Sequence, residues 1–299
     1  MKDQADKLRE VINNLRNIQM KPNQTVENAP QAKKCRVITV TSAKGGVGKT
    51  NISVNLALNL SKMGYRVVIL DADFGLANID VLFGISPKYT LLDVIENNKN
   101  IFEVIMEGPL NVKFISGGSG VEKMAHLDKR ELQDVIDKIA SLDQIADVVI
   151  VDTGAGISDS VISFVMAADE VILVTTPEPT SIMDSYALIK TVCRRDKNKI
   201  IRLLINRAES EREAFSVINK LCFAAEKFLG FKLHKLGYIL YDTTVINAVK
   251  QQEPFVIRYP KSLVTKQLSE VAYRLMDVEQ QRANNFLGLK GFLKRLMNV

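Results

Sequence analysis

The stretch "RVITVTSAKGGVGKTNISVNLALNLSKMG", residues 36–64, decides the fold of this 299-residue chain. An apolar β-branched run is followed by a loop with three glycines, and then by apolar residues at helical spacing. This order predicts a strand, a tight loop and a helix in succession. Similar apolar runs follow at 66–71, 112–116, 148–152, 171–176, 200–206 and 235–240. Strands buried on both faces and separated by helices indicate an α/β fold, with a doubly wound, mostly parallel sheet flanked by helices.

The glycine loop matches the phosphate-binding pattern G-x-x-x-x-G-K-[ST], except that Ala43 and Lys44 stand where its first glycine is expected. Backbone N–H groups of residues 45–49 can surround phosphates, since the glycines allow a close approach. Lys49 is predicted to reach the β- and γ-phosphates, and the hydroxyl of Thr50 to coordinate Mg²⁺. The loop therefore predicts a site for a nucleoside triphosphate with its magnesium ion.

The run K-G-G-x-G-K-T, residues 44–50, resembles the deviant Walker A motif of the MinD/ParA-type ATPases, a branch of the SIMIBI class of P-loop NTPases. In that family the early lysine, Lys44 here, reaches across an ATP-dependent dimer interface to the partner's nucleotide. A cation placed on the transferring phosphoryl group stabilises its developing negative charge. The resemblance implies a slow, partner-regulated ATPase that works as an ATP-bound homodimer, with Lys44, Lys49 and Asp73 as catalytic residues.

Two further segments resemble the switch loops of the family. "LDADFGLANID", residues 70–80, resembles switch I, in which Asp73 is expected to orient the attacking water or the Mg²⁺ shell. "VVIVDTGAGI", residues 148–157, resembles switch II, in which Asp152 is expected to contact Mg²⁺ through water. A carboxylate at the end of a parallel strand points into the crevice where ligands bind. The implied metal-site residues are Thr50, Asp73 and Asp152.

The resemblance also covers the base and the dimer face. "LLINRA", residues 203–208, places Asn206 where the family has an adenine-reading asparagine, whose amide offers a donor and an acceptor. Leu240 and Tyr241 stand where a proline-containing pair is usual, which leaves purine contacts of that loop open. The implied nucleotide-binding residues, for ATP or ADP, are Lys44, Gly45, Gly46, Val47, Gly48, Lys49, Thr50, Asn51, Asn206 and Arg207. The implied dimer contacts are Lys44, Asn78 and Asp184.

The ends of the chain distinguish members of this family. Residues 1–20 predict an amphipathic helix, 21–35 a polar linker, 36–280 the ATPase domain, and 281–299 a final amphipathic helix. "DQADKLRE", which begins at the third residue, resembles the N-terminal motif of FlhG-type flagellar-number regulators, which activates FlhF, a GTPase of the signal-recognition-particle type. The alternative is a short exposed arm. The positions implied to contact an FlhF-like GTPase are Asp3, Gln4, Ala5, Leu8 and Arg9.

The last segment, "FLGLKGFLKRLMNV" (286–299), combines an apolar stripe with basic residues elsewhere on the helix. This pattern is typical of a helix that lies in a membrane interface. Gly288 and Gly291 lower its intrinsic helicity, which favours a reversible anchor that folds on contact. A terminal helix packed on the protein's own core is the alternative. The residues predicted to enter an anionic membrane surface are Phe286, Leu289, Phe292, Leu293 and Leu296.

Composition excludes several other classes. No apolar run reaches the roughly 18 residues needed to span a bilayer, and the charged N-terminus is not a secretory signal. Three distant cysteines predict neither a disulfide framework nor a zinc site, so a reducing cytoplasm is expected. The net charge of +6 owes four cations to the segment after Glu279, so the rest of the chain is nearly balanced and no nucleic-acid partner is expected.

These observations predict an ATP-controlled switch, cytoplasmic and reversibly peripheral on the inner face of the cell membrane. Its predicted role is the regulation of flagellar number and placement, with flagellar switch-ring proteins as further partners. A MinD-type septum-site regulator is one alternative, and it would not need the N-terminal motif. A ParA-type DNA-partition ATPase is another, and it would need a basic DNA-binding surface and no apolar tail.

Overall fold

The first strand is buried along its whole length at the centre of an eight-stranded sheet. The computed structural model describes residues 34–73, 78–117, 120–124, 126–277 and 286–298. They lie in one compact unit, Lys34–Val299. The other unit, Met1–Lys33, lies outside the described residues, and with it the predicted FlhF-contacting helix and nearly all of the predicted linker.

The sheet has the strand order β3-β4-β2-β5-β1-β6-β7-β8. All neighbours pair in parallel except β3 and β4, which are antiparallel. The strands are β1 Arg36–Ser42, β2 Val67–Ala72, β3 Met106–Glu107, β4 Lys113–Ser116, β5 Val148–Ala155, β6 Glu170–Thr175, β7 Ile201–Ala208 and β8 His234–Leu240. The predicted doubly wound, mostly parallel sheet is confirmed, and each predicted strand is present. Strand β3 was not predicted, because two residues are too few to show a hydrophobic pattern.

Helices connect the strands and cover both faces. They are α1 Lys49–Lys62, α2 Ile79–Phe83, α3 Leu91–Glu96, α4 Ile101–Val104, α5 Gly120–Met124, α6 Lys129–Ala140, α7 Asp159–Ala167, α8 Pro179–Arg195, α9 Glu211–Leu229, α10 Thr243–Lys250, α11 Phe255–Arg258, α12 Leu263–Asp277 and α13 Gly288–Leu296. Short 3₁₀ turns occupy Pro109–Asn111 and Ser141–Gln144.

Alternate residues of the strands face opposite layers of the core, as the two-residue period of a strand requires. Ile38 and Val40 of β1 join a core cluster with α1 and α12, whereas Val37 joins a cluster on the other face with α6, α7 and α13. A third cluster packs α8 and α9 on β6 and β7. The sheet is thus covered on both faces, which explains the near-continuous apolar runs of its strands.

A buried ionic network lies at the N-terminal end of β1. Arg36 and Arg202 both pair with Glu170, and all three side chains are buried. The guanidinium of Arg36 also donates to the carbonyl of Leu275 in α12 and lies 5.8 Å from the ring centroid of Phe286. The N-terminal end of the central strand is therefore tied to the two C-terminal helices.

Candidate nucleotide-binding site

The glycine loop joins the upper end of β1 to α1 and takes the conformation that a phosphate cradle needs. Gly46 and Gly48 have φ of 76° and 91°, in the left-handed region that favours glycine. A Cβ on Gly48 would stand 2.5 Å from Nδ2 of Asn206. That amide donates to the carbonyl of Val47 at 2.8 Å. Asn206 thus lies against the phosphate loop, so position 48 has room only for a glycine.

A buried carboxylate gathers the polar groups at the start of α1. Nζ of Lys49 lies 3.0 Å from Oδ2 of Asp152, and the hydroxyl of Thr50 donates to the same oxygen at 2.8 Å. Ser53 donates to Oδ1 of Asp152 at 2.6 Å. The structure thus brings three predicted residues, Lys49, Thr50 and Asp152, together beside β5. Ser53 was missed, although its place one helical turn after Lys49 puts it on the same face.

The oxygen groups of this cluster suit magnesium. Hydroxyl and carboxylate oxygens are the hard ligands that Mg²⁺ prefers. Thr50 and Asp152 already meet, and Oδ1 of Asp73 lies 3.6 Å from the position of a Cβ on Gly154, beside switch II. Thr50, Asp73 and Asp152 would hold Mg²⁺ directly or through water, and the ion would neutralise phosphate charge.

Asp71 organises switch I from the end of β2. Its carboxylate accepts hydrogen bonds from the backbone N–H groups of Asp73, Asn78 and Ile79, at 3.1, 3.1 and 3.4 Å. The register of the sheet pairs it with Asp152. Burial, and then the negative charge of Asp152, raises the pKa of Asp71 to about 6. A carboxyl group that titrates near neutrality therefore anchors both sides of the switch segment.

Lys44 contacts a different part of the protein from Lys49. Its ammonium donates to Oε2 of Glu178 at 2.6 Å and to the hydroxyl of Thr180 at 2.9 Å, at the start of α8. The hydrogen bond from Lys44 and its charge lower the pKa of Glu178. Both partners are exposed, so the pair contributes little to stability. The sequence analysis did not identify Glu178 and Thr180, because nothing in the motif marks them.

A cavity of about 180 Å³ opens beside the phosphate loop and suits a nucleotide base. The predicted residues Gly48, Asn51, Asn206 and Arg207 line one side, and Leu240 and Tyr241 belong to its lining as well. The backbone of Arg207 has a φ of 58°, which is uncommon for a residue with a side chain. The loop that departs from the family pattern therefore still borders the base site.

The other predicted dimer contacts lie on exposed or partly exposed segments. Asp184 is exposed on α8, the helix whose first turn contacts Lys44. Asn78 is half-buried and stands at the start of α2, where its N–H contacts Asp71. Asp184 lies one helical turn after Thr180, a partner of Lys44, and therefore on the same face of α8. The role of Lys44 and Asp184 in a dimer stays a prediction.

The C-terminal helix α13 is packed on the protein. Leu289, Phe292 and Leu293 are buried in the core cluster with α6 and α7, and Leu296 is partly buried against it. Phe292 stacks near Phe164 of α7, with ring centroids 6.3 Å apart. In this structure the apolar face predicted to meet a membrane is therefore covered by protein, which is the arrangement of the alternative interpretation.

Three carboxylates fix the start of this helix. Oδ1 of Asp169 accepts from the N–H of Leu287 at 3.3 Å, and Oδ1 of Asp143 from that of Leu289 at 2.8 Å. Gly288 between them has a φ of 72°, and a Cβ there would stand 2.8 Å from Asp143. Lys290 pairs with Asp137 of α6 at 2.5 Å. Gly288 thus has a structural role in the packed state, beyond the low helicity that its residue type predicts.

Among the described residues, no helix is long and apolar enough to cross a membrane.

Sequence comparison identifies relatives of this chain. The sequence model of the ParA family, described as "NUBPL iron-transfer P-loop NTPase", matches residues 33–276. The antiactivator FleN of Pseudomonas aeruginosa is 44% identical over 88% of this chain and 93% of its own length. The flagellum site-determining protein YlxH of Helicobacter pylori is 34% identical over 99% of both chains.

Solved structures of MinD proteins have a similar fold. MinD in the MinC:MinD cell division complex of Aquifex aeolicus is 25% identical, with a TM-score of 0.67 over 81% of this chain and 96% of its own. MinD of Pyrococcus horikoshii, solved with Mg-ADP, is 22% identical, with a TM-score of 0.65 over 84% of this chain and 100% of its own.

The fold and the deviant phosphate loop together define a P-loop ATPase of the MinD/ParA type. The chain belongs to the ParA family, in the group that contains FleN and YlxH.

Proposed function

We propose that this protein is an ATP-controlled switch that regulates the number and placement of flagella. The observation that carries the proposal is the position of Lys44, whose ammonium lies at the exposed start of α8 while Lys49 fills the buried phosphate site. A loop with one lysine for its own nucleotide and one at the surface suits a switch that responds to assembly. The likeness to FleN and YlxH supports the flagellar role.

Nucleotide binding is the first step of the proposed cycle. Lys49 would bind the triphosphate in place of Asp152, and Thr50 would hold a Mg²⁺ ion that neutralises phosphate charge. Asp73 lies beside switch II, where it can orient an attacking water. The cavity beside Asn206 receives the adenine base. ATP and ADP then differ at the γ-phosphate, which the two switch segments contact.

Dimerisation is the second step. Lys44 exchanges its weak surface pair with Glu178 for the phosphates of a second copy, across an interface that includes Asn78 and Asp184. A phosphate group with up to two negative charges is a stronger partner than one exposed carboxylate. Hydrolysis then depends on assembly, since the second cation arrives only in the dimer.

Membrane association follows from release of α13. Its apolar residues leave the core for the membrane interface, and its lysines face anionic lipid. One short helix binds marginally, but two helices in a dimer act through effective concentration. Hydrolysis returns a cytosolic monomer with the helix packed. The N-terminal helix stimulates an FlhF-like GTPase, and flagellar switch-ring proteins bind elsewhere.

Co-sedimentation with vesicles that contain anionic lipid tests the switch. We expect binding with ATP and Mg²⁺, much weaker binding with ADP, and none after deletion of residues 286–299. The Lys44→Ala protein is the control for assembly, because it keeps the helix and should stay in solution. Equal binding with ATP and ADP would contradict nucleotide control.

A peptide of residues 1–20 tests the flagellar assignment. We expect it to raise the GTPase rate of an FlhF-like protein, and a peptide with Gln4→Ala and Arg9→Ala to fail. A MinD-type septum-site regulator is the alternative, and it predicts no effect from either peptide. ATP-dependent binding to DNA that survives deletion of residues 286–299 would instead indicate a partition ATPase.

A further inference from the structure

Helix α9 exposes aromatic side chains on its solvent face. Phe223 and Phe228 are 60% and 67% exposed, the two most exposed phenylalanines among the residues that the structure describes. The opposite face of α9 is buried against α8, β7 and β8 through Val217, Ile218 and Leu221. The fold therefore gives these two rings no internal partner in the core, and exposed large apolar groups of this kind mark interaction sites.

A lysine lies between the two rings. Nζ of Lys227 is 5.2 Å from the ring centroid of Phe223 and 5.6 Å from that of Phe228. These distances are within the range of cation–π contacts. The three side chains thus form one continuous surface with apolar rings on both sides of a charge. We call Phe223, Lys227 and Phe228 the aromatic clamp.

The surroundings of the clamp are basic. Lys220 and Lys232 flank the clamp in the sequence and are exposed. Among the described residues, no ion pair is found for Lys220, Lys227 or Lys232. Lys235 is held by Asn219 at 2.9 Å. Residues 219–235 contain a single acidic residue, Glu226. Four lysines against one glutamate leave a local positive excess.

The clamp lies away from the nucleotide site. Helix α9 begins after the carboxyl end of β7, beside Asn206, and runs back toward the start of β8. Phe223 and Phe228 belong to its second half, at the opposite end of the sheet from the phosphate loop.

We propose that the aromatic clamp is a docking site for an acidic peptide segment of a partner protein. One aliphatic or aromatic side chain of the segment sits between the rings of Phe223 and Phe228, and its flanking carboxylates pair with Lys227, Lys220 and Lys232. Burial of an apolar anchor supplies affinity, and charge complementarity around it supplies specificity and speed of association. The site does not depend on the flagellar role proposed above.

The size and charge of the surface favour a peptide over other anionic partners. Nucleic-acid sites commonly use about six to ten phosphate contacts, which is more than four lysines provide. Glu226, inside the patch, would repel a continuous phosphate backbone or an anionic membrane, whereas a peptide can place a neutral or basic residue opposite it.

Fluorescence polarisation with the full-length protein tests the proposal. The probe is a fluorescein-labelled peptide with the sequence EEDLFDEE, and the control probes are EEDSSDEE and KKKLFKKK. We expect saturable binding of the first probe alone, with an affinity that falls as salt rises. Phe223→Ser with Phe228→Ser, and separately Lys227→Glu, should weaken it at least about tenfold, as loss of an interface hot spot does.

Phe215→Ala is the matched control on the same helix. Phe215 is also exposed, but its ring meets that of Tyr238 edge to face, with centroids 5.4 Å apart, so it already has an internal partner. We expect peptide affinity to be unchanged in this variant. Intact ATP hydrolysis in every variant would show that the fold is kept.

Two outcomes would overturn the proposal. One is the absence of binding at millimolar peptide, or binding that all variants keep. The other is a different ligand class: if vesicles with anionic lipid or a single-stranded dT20 oligonucleotide bind through Phe223 and Phe228 while the peptide does not, the clamp is a membrane or nucleic-acid contact.

Discussion

In the phosphate loop and in the C-terminal helix, the groups predicted to be functional contact other parts of the same protein, but these contacts differ in energy. In each region, an internal partner occupies the groups that the proposed cycle uses elsewhere. Lys44 is held by one exposed carboxylate, a contact worth at most about 1 kcal/mol. Helix α13 buries Leu289, Phe292 and Leu293, each worth about 1.5–3 kcal/mol.

This difference shows where energy is needed. Lys44 can leave its exposed partner at almost no cost, so a second copy can engage it readily in the proposed cycle. The helix leaves the core only when another apolar environment receives it. In the proposed cycle, ATP therefore prepares the release of α13, and the membrane interface completes it. The predictions below test this contrast, from the largest effect to the smallest.

Lys44→Ala should have the largest effect, on the loop. We expect partner-stimulated ATP hydrolysis to fall by about 10³-fold, because a cation supplied to the transferring phosphoryl group is worth that much or more. Nucleotide affinity of the monomer should stay within a few fold, since Lys49 remains. Glu178→Ala is the control, because it removes the internal partner and keeps the lysine. The measurements are steady-state hydrolysis and ADP binding, and a proportional loss of both would contradict the division of roles.

Phe292→Ala should have the largest effect on the helix. The ring is buried against Phe164, and truncation of a buried phenylalanine costs about 3–5 kcal/mol. We expect a loss of about this size in the free energy of unfolding without ATP, measured by urea denaturation. Leu296→Ala, at a partly buried position, should cost less. An unchanged denaturation midpoint in the Phe292 variant would mean that α13 is not packed in solution.

The pH dependence of stability separates the two regions further. Asp71 has a pKa raised to about 6 in the folded state by burial and by Asp152, against about 4 when unfolded. Folding therefore binds a proton between these values, and stability is lost as pH rises from about 4 through 6. The loss is up to about 3 kcal/mol. Asp71→Asn should abolish this component in denaturation curves at several pH values.

Asp134→Asn, on the exposed side of α6, is the control for that experiment and should keep the wild-type profile. A wild-type slope in the Asp71→Asn protein would assign the pH dependence to other groups, away from switch I.

Gly288→Ala should have the smallest effect and the most specific one. Its φ of 72° strains an alanine by about 1–3 kcal/mol, and its Cβ would press on Asp143. We expect about tenfold stronger vesicle binding without ATP, because only the packed state is weakened. Gly230→Ala has a similar φ of 60° and open space around it, so it controls for strain alone. If both variants bind vesicles as the wild type does, Gly288 does not restrain the helix.

The sequence predicted which groups approach one another at the phosphate loop, since phosphate chemistry fixes residue types and spacing. Lys49, Thr50 and Asp152 meet as expected, and Asn206 reaches the loop. Glu178 and Ser53 were missed because many polar residues could occupy such positions. The positions of strand ends predict which side chains lie near the phosphate loop, but not every residue with which they form hydrogen bonds.

The packing of α13 could not be predicted from its own residues. An apolar stripe with a basic opposite face defines what the helix must cover, but not whether lipid or protein covers it. The evidence for protein lies far away in the chain, in Asp143, Asp169 and Phe164. The conformation of Gly288 becomes clear only when Asp143 is seen beside it.

Strand β1 connects the two regions compared above. Its N-terminal residue, Arg36, contacts Phe286 and α12, and its C-terminal end leads into the phosphate loop. If ATP raises membrane affinity by some factor, thermodynamic reciprocity requires the membrane to raise ATP affinity by the same factor. Nucleotide affinity then reports where the molecule is, and a protein at the membrane retains ATP that it would lose in free solution.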